Sequence, residues 1–366
     1  MPLFLLSLVG SVTQLVEYRP FKPRVAGSSP ARPTRFYKKV SPSSSQVQDT
    51  GLSRRQQGFK SPRGRQIFPP RISLMEILIL AAESLGVRSM ATFVRTKDVS
   101  VLIDPGAALG PKRYGLPPDK IEWQKLREIK ALIKDKIREA DLVIISHYHY
   151  DHYDPEWAKE LKGKQLLLKN PEKDINRNQA KRAKELLKRL AAFGVCWKIA
   201  EGMRLIFGET EIVCSPPLNH GPDERFGAVV ATVIKENGKV FLHSSDVSGP
   251  VQQEALNFIY KHSPQILFID GPASYLGPRF GLEALELARK NLVSLTLELK
   301  PEFLIMDHHL LRDLSWKTWA ENVFSEAVKT NTKVLCAADF MKKKPLLLEA
   351  LRKDRYKALS KKICKY

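Results

Sequence analysis

Three histidines and an aspartate, His147, His149, Asp151 and His152, fall within six positions directly after the apolar run Leu142-Val143-Ile144-Ile145. Neutral imidazole nitrogens and carboxylate oxygens are the donors that hold zinc at roughly 2.0–2.2 Å. Four β-favouring apolar residues in succession read as a strand buried on both faces, so the polar cluster begins where that strand leaves its sheet. The two-residue period lets His147 and His149 point the same way, while Asp151 and His152, in the turn, reach a neighbouring position. The spacing therefore allows one metal and suits two better.

The ordered pattern His-x-His-x-Asp-His after a buried strand resembles the signature of the metallo-β-lactamase superfamily. That resemblance implies an α/β fold, a four-layer αββα sandwich, with further metal-binding residues arriving downstream at the ends of later strands. Candidates stand in the implied order. His220 lies in the loop Pro216-Pro217-Leu218-Asn219-His220-Gly221-Pro222, Asp246 follows the strand-like Val240-Phe241-Leu242-His243, and His308-His309 follow Phe303-Leu304-Ile305-Met306. By position, the resemblance assigns His147, His149 and His220 to one metal, Asp151, His152 and His308 to a second, and Asp246 to both. His308 is preferred over His309 because Arg312 four residues later matches a His-x-x-x-Arg spacing of nuclease-like members. Asp104, at a strand end before Pro105-Gly106, is expected to orient the first histidines from behind. His309 and Asp270, the latter at the end of Gln265-Ile266-Leu267-Phe268-Ile269, are the alternative or supporting residues, and His243 is expected in the core. Glu83-Ser84-Leu85-Gly86-Val87-Arg88-Ser89 and Asp104-Pro105-Gly106 further resemble a largely archaeal branch, membership of which implies no particular substrate.

The elements that must present these residues are legible from periodicity. Ile77–Leu80, Thr92–Val94 and Val99–Ile103 read as strands, and Leu126, Ile129, Ile133 and Ile137 mark a helix over 121–138. A short helix at 155–162, a strand at 165–168 and an amphipathic helix over 172–192 follow, then strands near 195–200, 204–207 and 211–215. Glu236-Asn237-Gly238 joins strands expected at 227–235 and 239–243 in a hairpin. A helix over 281–299, strands at 303–306 and 334–336, and a solvated Lys-rich helical tail over 342–362 complete the chain. The loop 107–120 carries Lys112, Arg113 and Tyr114, candidates to meet an anionic substrate.

The net charge of +21 is unevenly placed. Residues 1–74 hold 13 Lys and Arg against 2 Asp and Glu, so the remaining 292 residues carry only +10. That excess spreads over helices, so nucleic acid is a partner that basicity allows but does not favour. No apolar run approaches a membrane span. Four isolated cysteines, Cys196, Cys214, Cys336 and Cys364, form no C-x-x-C pair and suggest a reducing, cytoplasmic setting. Ser11-Val12-Thr13-Gln14-Leu15-Val16-Glu17 and Ala26-Gly27-Ser28-Ser29-Pro30 read as translations of the D-arm and T-arm of a transfer RNA gene. The expectation is that residues 1–74 are a spurious or disordered extension, that the native start is Met75, and that 75–366 form the metallo-β-lactamase-like domain.

The chemistry implied is hydrolysis by a hydroxide held between two metals, with Asp151 as the catalytic carboxylate steering a proton. Iron redox members of the resembled superfamily carry a carboxylate where this chain has His149, which favours hydrolysis over electron transfer. Zn2+ is the first expectation, Mn2+ or Fe2+ fitting the same donors. The substrate is a small molecule or a phosphodiester, and its bond (ester, thioester, lactone or phosphodiester) stays open, as does the oligomeric state. The alternatives are a nuclease or phosphodiesterase acting on RNA or DNA, and a metal-binding interaction protein without turnover.

Overall fold

A computed structural model describes residues 75–363 of the chain. The expectations for residues 1–74, and for Met75 as the native start, lie outside the described residues.

The first sheet contains β1 (Glu76–Ile79), β2 (Thr92–Arg95), β3 (Ser100–Ile103), β4 (Leu142–Ile145), β5 (Gln165–Leu168) and β6 (Lys198–Ile199), side by side in that order. β1, β2 and β3 pair antiparallel, and β3 through β6 run parallel. Next in the chain come β7 (Arg204–Phe207), β8 (Thr210–Cys214), the short β9 (Leu218–Asn219) and β10 (Ala228–Val229), which pair with each other, and β11 (Thr232–Glu236). They are followed by β12 (Lys239–His243), β13 (Ile266–Ile269), β14 (Phe303–Met306) and β15 (Lys333–Leu335). The second sheet has the order β15-β14-β13-β12-β11-β8-β7, parallel from β12 to β15 and antiparallel from β12 to β7.

Strand β4 shows why this makes layers. Leu142 and Ile144 belong to the apolar cluster shared with second-sheet residues such as Val233, Leu242 and Leu267, whereas Val143 and Ile145 belong to a separate cluster with the helices. A period of two sends successive side chains to opposite faces, so a four-residue apolar run can be buried only if both faces are covered. The outer cover of the first sheet is α1 (Lys120–Glu139) and α2 (Arg177–Ala192), whose Ile129, Ile133, Ile137, Leu186 and Leu190 complete that second cluster. On the other sheet, α3 (Gln253–His262) and α4 (Leu282–Leu299) contribute Leu256, Ile259, Leu292 and Leu295 to the larger cluster. This is the four-layer αββα sandwich. Among the described residues no helix is long and apolar enough to cross a membrane.

Several boundaries differ from the sequence reading. Residues 155–159 form a single 3-10 segment, and α2 starts at Arg177 because Asp174 sits at φ +50° and the Asn176 side chain caps the amide of Gln179. The strand expected at 195–200 shrinks to Lys198–Ile199. The long first strand of the hairpin divides, because Val230 donates its N–H across to the carbonyl of Ser146 and Ala228–Val229 pair with Leu218–Asn219.

The largest departure is the tail. Helical structure starts only at Arg352, and Arg352 is fully buried, with its Nε 3.0 Å from Glu122 Oε2 and Nη1 donating to the carbonyls of Gly110 and Leu116. Glu122 is also the third residue of the capping box that opens α1, its carboxylate accepting from the amide of Asp119. Lysine-rich composition concealed this because one buried arginine leaves no periodic signal. Arg352→Met is expected to cost about 3–5 kcal/mol by stranding the Glu122 carboxylate. Urea unfolding of the variant should show it, with Glu122→Gln in the same chain restoring part; equal midpoints for native and single variant would rule the pair out as a stabilising contact.

Candidate metal centre

The site residues arrive at the C-terminal ends of parallel strands, where ligands of open α/β sheets assemble. β3 leads into Asp104, β4 into His147, β12 into Asp246, β13 into Asp270 and β14 into His308, while β9 delivers His220. Three of these exits turn sharply through a non-glycine residue in the left-handed region: Asp104 (φ +50°), Ser245 (φ +56°) and His308 (φ +48°). Such conformations cost on the order of 1–3 kcal/mol each and persist where the surroundings over-determine them.

In the loop after β4, alternate residues divide between centre and scaffold. Tyr148 is buried in the helix layer, its amide donating to Gln179 Oε1 and its hydroxyl to the carbonyl of Lys169. Its neighbours face the other way, with His147 Nε2 3.1 Å from His149 Nδ1. The turn closes through the amide of His152 on the carbonyl of His149. Gly106 backs this turn so tightly that a Cβ there would lie 2.1 Å from the amide nitrogen of Tyr153 and 2.4 Å from the carbonyl carbon of His152, so only glycine fits.

Asp246, 1% exposed, is surrounded by imidazoles. Its Oδ2 lies 3.2 Å from His152 Nε2, 3.3 Å from His220 Nε2 and 3.6 Å from both His147 Nε2 and His309 Nε2. Its Oδ1 lies 3.5 Å from His308 Nε2. The same His308 Nε2 lies 3.6 Å from Asp151 Oδ2 and 3.1 Å from Arg312 Nη2. Two donor groups of suitable spacing result, His147, His149, His220 and Asp246, and Asp151, His152 and His308; Asp246 also groups with His308 and His309.

The back nitrogens of His147, His152 and His309 are held by partners. His152 Nδ1 meets Asp104 Oδ2 at 2.9 Å, and the same carboxylate accepts from the amide and hydroxyl of Ser146. His147 Nδ1 meets Ser146 Oγ at 3.0 Å, itself bonded to Ser245 Oγ. His309 Nδ1 meets Asp270 Oδ2 at 2.8 Å, and Asp270 is fixed by the amides of Ser248 and Gly249. A carboxylate or hydroxyl behind an imidazole fixes its orientation and leaves the other nitrogen free to bind a cation. His243 has both nitrogens occupied, by the carbonyl of Met90 and the amide of Ser245, and stays in the core.

The donors fit a divalent cation on their own chemistry. His152 Nε2, both nitrogens of His220 and Asp246 Oδ1 are buried without a hydrogen-bond partner, which is costly unless another group meets them. Burial and neighbouring imidazoles hold His147 well below its ordinary range and His149 at about 3, the neutral form that ligates. Burial would lower His152 too, but Asp246 and Asp104 raise it strongly, a sign that positive charge is favoured between these carboxylates. Burial would raise Asp246, yet His152 and His308 keep it well below the carboxylate range. A cation supplies that positive charge without altering the charge logic.

Of the residues named from sequence, His147, His149, Asp151, His152, His220, Asp246, His308, His309, Asp104 and Asp270 lie in or directly behind this cluster. Lys112, Arg113 and Tyr114 lie outside the histidine cluster itself. Lys112 is exposed, Arg113 donates to the carbonyl of Arg312 and stacks on Tyr275, and the Tyr114 hydroxyl donates to the carbonyl of Ala350. Sequence reasoning missed Asp307, whose carboxylate accepts from the amides of Ser84, His308 and Ala337 and so pins the loop holding both late histidines. It also missed Glu83, bonded to Arg312 Nε at 3.1 Å. Asp307 carries the same strand-end signal as Asp270; Glu83 carries none.

A model of the metallo-beta-lactamase superfamily matches residues 86–153, a span that holds the histidine-rich loop and stops before His220. The UPF0282 protein of Methanocaldococcus jannaschii is 42% identical over 291 residues, covering 76% of this chain and 96% of the relative. That of Methanopyrus kandleri is 43% identical over 294 residues, covering 76% and 98%. The chain belongs to the UPF0282 family. It is thereby placed in a largely archaeal branch of the metallo-β-lactamase superfamily, in keeping with the resemblance seen in the sequence. Among solved structures, the metallo hydrolase Igni18 of Ignicoccus hospitalis is similar at 16% identity and TM-score 0.40, over 71% of this UPF0282 chain and 93% of that one. The diiron β-hydroxylase CmlA of Streptomyces venezuelae is similar at 12% and TM-score 0.45, over 73% and 53%. At such scores neither likeness bears on the chemistry.

Asp104→Asn in this UPF0282 chain is expected to weaken metal affinity by about 10–100-fold, the usual loss when the carboxylate behind a ligating histidine is removed. Competition with a chromogenic chelator measures it, and an unchanged affinity would show that His152 needs no such partner.

Proposed function

We propose that the chain is a metal-dependent hydrolase with a binuclear centre. His147, His149 and His220 would hold one cation, Asp151, His152 and His308 the other, and Asp246 both. The observation that carries this reading is the Asp246 carboxylate, buried among five imidazoles that approach it from the ends of three strands, β4, β9 and β14, with Oδ1 unpartnered. Nitrogen and oxygen donors without thiolate suit Zn2+, and Mn2+ or Fe2+ as well. Bound there, such a pair of ions supplies an activated water at neutral pH and polarises the bond under attack.

The chain's own groups do the rest. Asp104 and the Ser146 and Ser245 hydroxyls fix ring orientation, and the apolar layers behind β4 and β12 keep bulk water from the rear of the site. Asp151 keeps its charge: burial would raise it, but His152 and His308 hold it well below the usual carboxylate range. A charged carboxylate at the edge of the cluster is suited to accept a hydrogen bond from the attacking water and steer its proton.

Elemental analysis of the purified protein is expected to find about two first-row divalent ions per chain, falling to one or fewer in His149→Ala and further in Asp246→Ala. The loaded protein should hydrolyse at least one member of an aryl ester, thioester, lactone and bis-aryl phosphodiester panel, with His149→Ala at least 100-fold slower. Bound metal with no turnover anywhere in the panel would instead support a metal-binding interaction protein.

A further inference from the structure

Beside the histidine cluster lies a cavity of about 180 Å3, lined by His220, His309 and Arg312 together with Phe226, Tyr275 and Phe280. It is smaller than the roughly 300–1,000 Å3 of drug-sized sites, so it takes a small molecule or one end of a larger one. The charges on its wall are one-sided: Arg225, Arg279 and Arg312 line it, and no aspartate or glutamate does.

The three arginines are not equivalent. Arg225 is already neutralised by a two-point pairing with Asp223. Arg279 is exposed and makes no salt bridge among the described residues. Arg312 is 5% exposed and is held in place by Glu83 through Nε, while Nη2 faces His308 and Asp151. Its Nη1 has no hydrogen-bond partner among the described residues. A guanidinium fixed by a carboxylate behind it, with a free N–H edge beside the reacting centre, is a ready receptor for an anionic oxygen. Burial and Glu349 push the Glu83 carboxyl up to about 7, which weakens the charge behind Arg312 and leaves the cavity side the more positive. The aromatic side chains of the lining, Phe226, Tyr275 and Phe280, offer a surface for an apolar group.

We propose that this site takes a small anionic substrate, a phosphate ester or carboxylate-bearing ester, whose negative oxygen is received by Arg312 and Arg279 and whose apolar part rests on Phe226, Tyr275 and Phe280. The assignment deepens the hydrolase reading by naming the substrate's charge, and rests on that reading for the word substrate alone. Arg312 and Arg279 then decide specificity: a neutral ester of the same size leaves the Arg312 N–H edge unmet.

Calorimetric binding of phenyl phosphate and of neutral benzamide to the full, metal-loaded chain separates the two claims. Phenyl phosphate is expected to bind at least tenfold tighter than benzamide. Arg279→Ala should weaken phenyl phosphate at least fivefold, and Arg312→Lys at least tenfold, with benzamide changed less than twofold. Arg279 is exposed, so its variant decides the matter if Arg312→Lys does not fold. Phenyl phosphate affinities within twofold of native in the folded variants overturn the proposal. In parallel, bis(4-nitrophenyl) phosphate and 4-nitrophenyl butyrate release the same chromophore. Arginine-dependent binding without turnover of either sinks the hydrolase reading and leaves the anion site standing. Turnover of the butyrate alone, indifferent to both arginines, does the reverse. Cleavage of an RNA oligonucleotide faster than either small ester overturns the small-molecule assignment in favour of a nuclease.

Discussion

A carboxylate buried among imidazoles sets the terms for the whole centre. Asp246 is charged, almost wholly out of water, and touched by no backbone donor that would stabilise it. A buried anion needs a positive counterpart close by, and only a protonated ring or a cation can supply one here. The five histidines are drawn to it from three distant parts of the chain, so the position of this one side chain determines how β4, β9, β12 and β14 must end.

The sandwich makes that convergence achievable. Parallel strands buried on both faces must exclude polar side chains along their length, so polar groups collect where the strands stop. In both sheets those stops fall on the same edge. The left-handed turns at Asp104, Ser245 and His308 then bend the chain inward, and the close seat of Gly106 against His152 leaves no slack in the first loop. Strain of this kind is tolerable because the αββα layers on either side are large apolar clusters whose packing does not depend on the site.

Charge is organised in a second ring outside the first. Arg312 reaches back to Glu83, and Arg88 to Glu349 at 2.5 Å, while Arg352 and Glu122 tie the tail to α1. The C-terminal segment is thus part of the wall behind the late histidines, joined also through Ala337 to Asp307 and through Leu346 to Ser84. None of this charge ring is periodic, which is why the tail read as solvated lysine-rich helix.

The amino-acid order alone was enough for strands such as β4, β13 and β14, because an apolar run of four residues has one stable use in a layered α/β protein, and for the order in which histidines and aspartates follow strand ends, because their types and spacing are local. Helix α1 was legible for the same reason, its Ile129, Ile133 and Ile137 repeating at helical spacing. Tertiary structure alone decided what depends on residues far apart in the chain: that His309 is backed by Asp270, that Arg312 is braced by Glu83 across 229 positions, and that Arg352 lies buried against Glu122. Such pairs are set by which surfaces the layers bring together, and a buried ion pair writes no pattern into the sequence on either side of it.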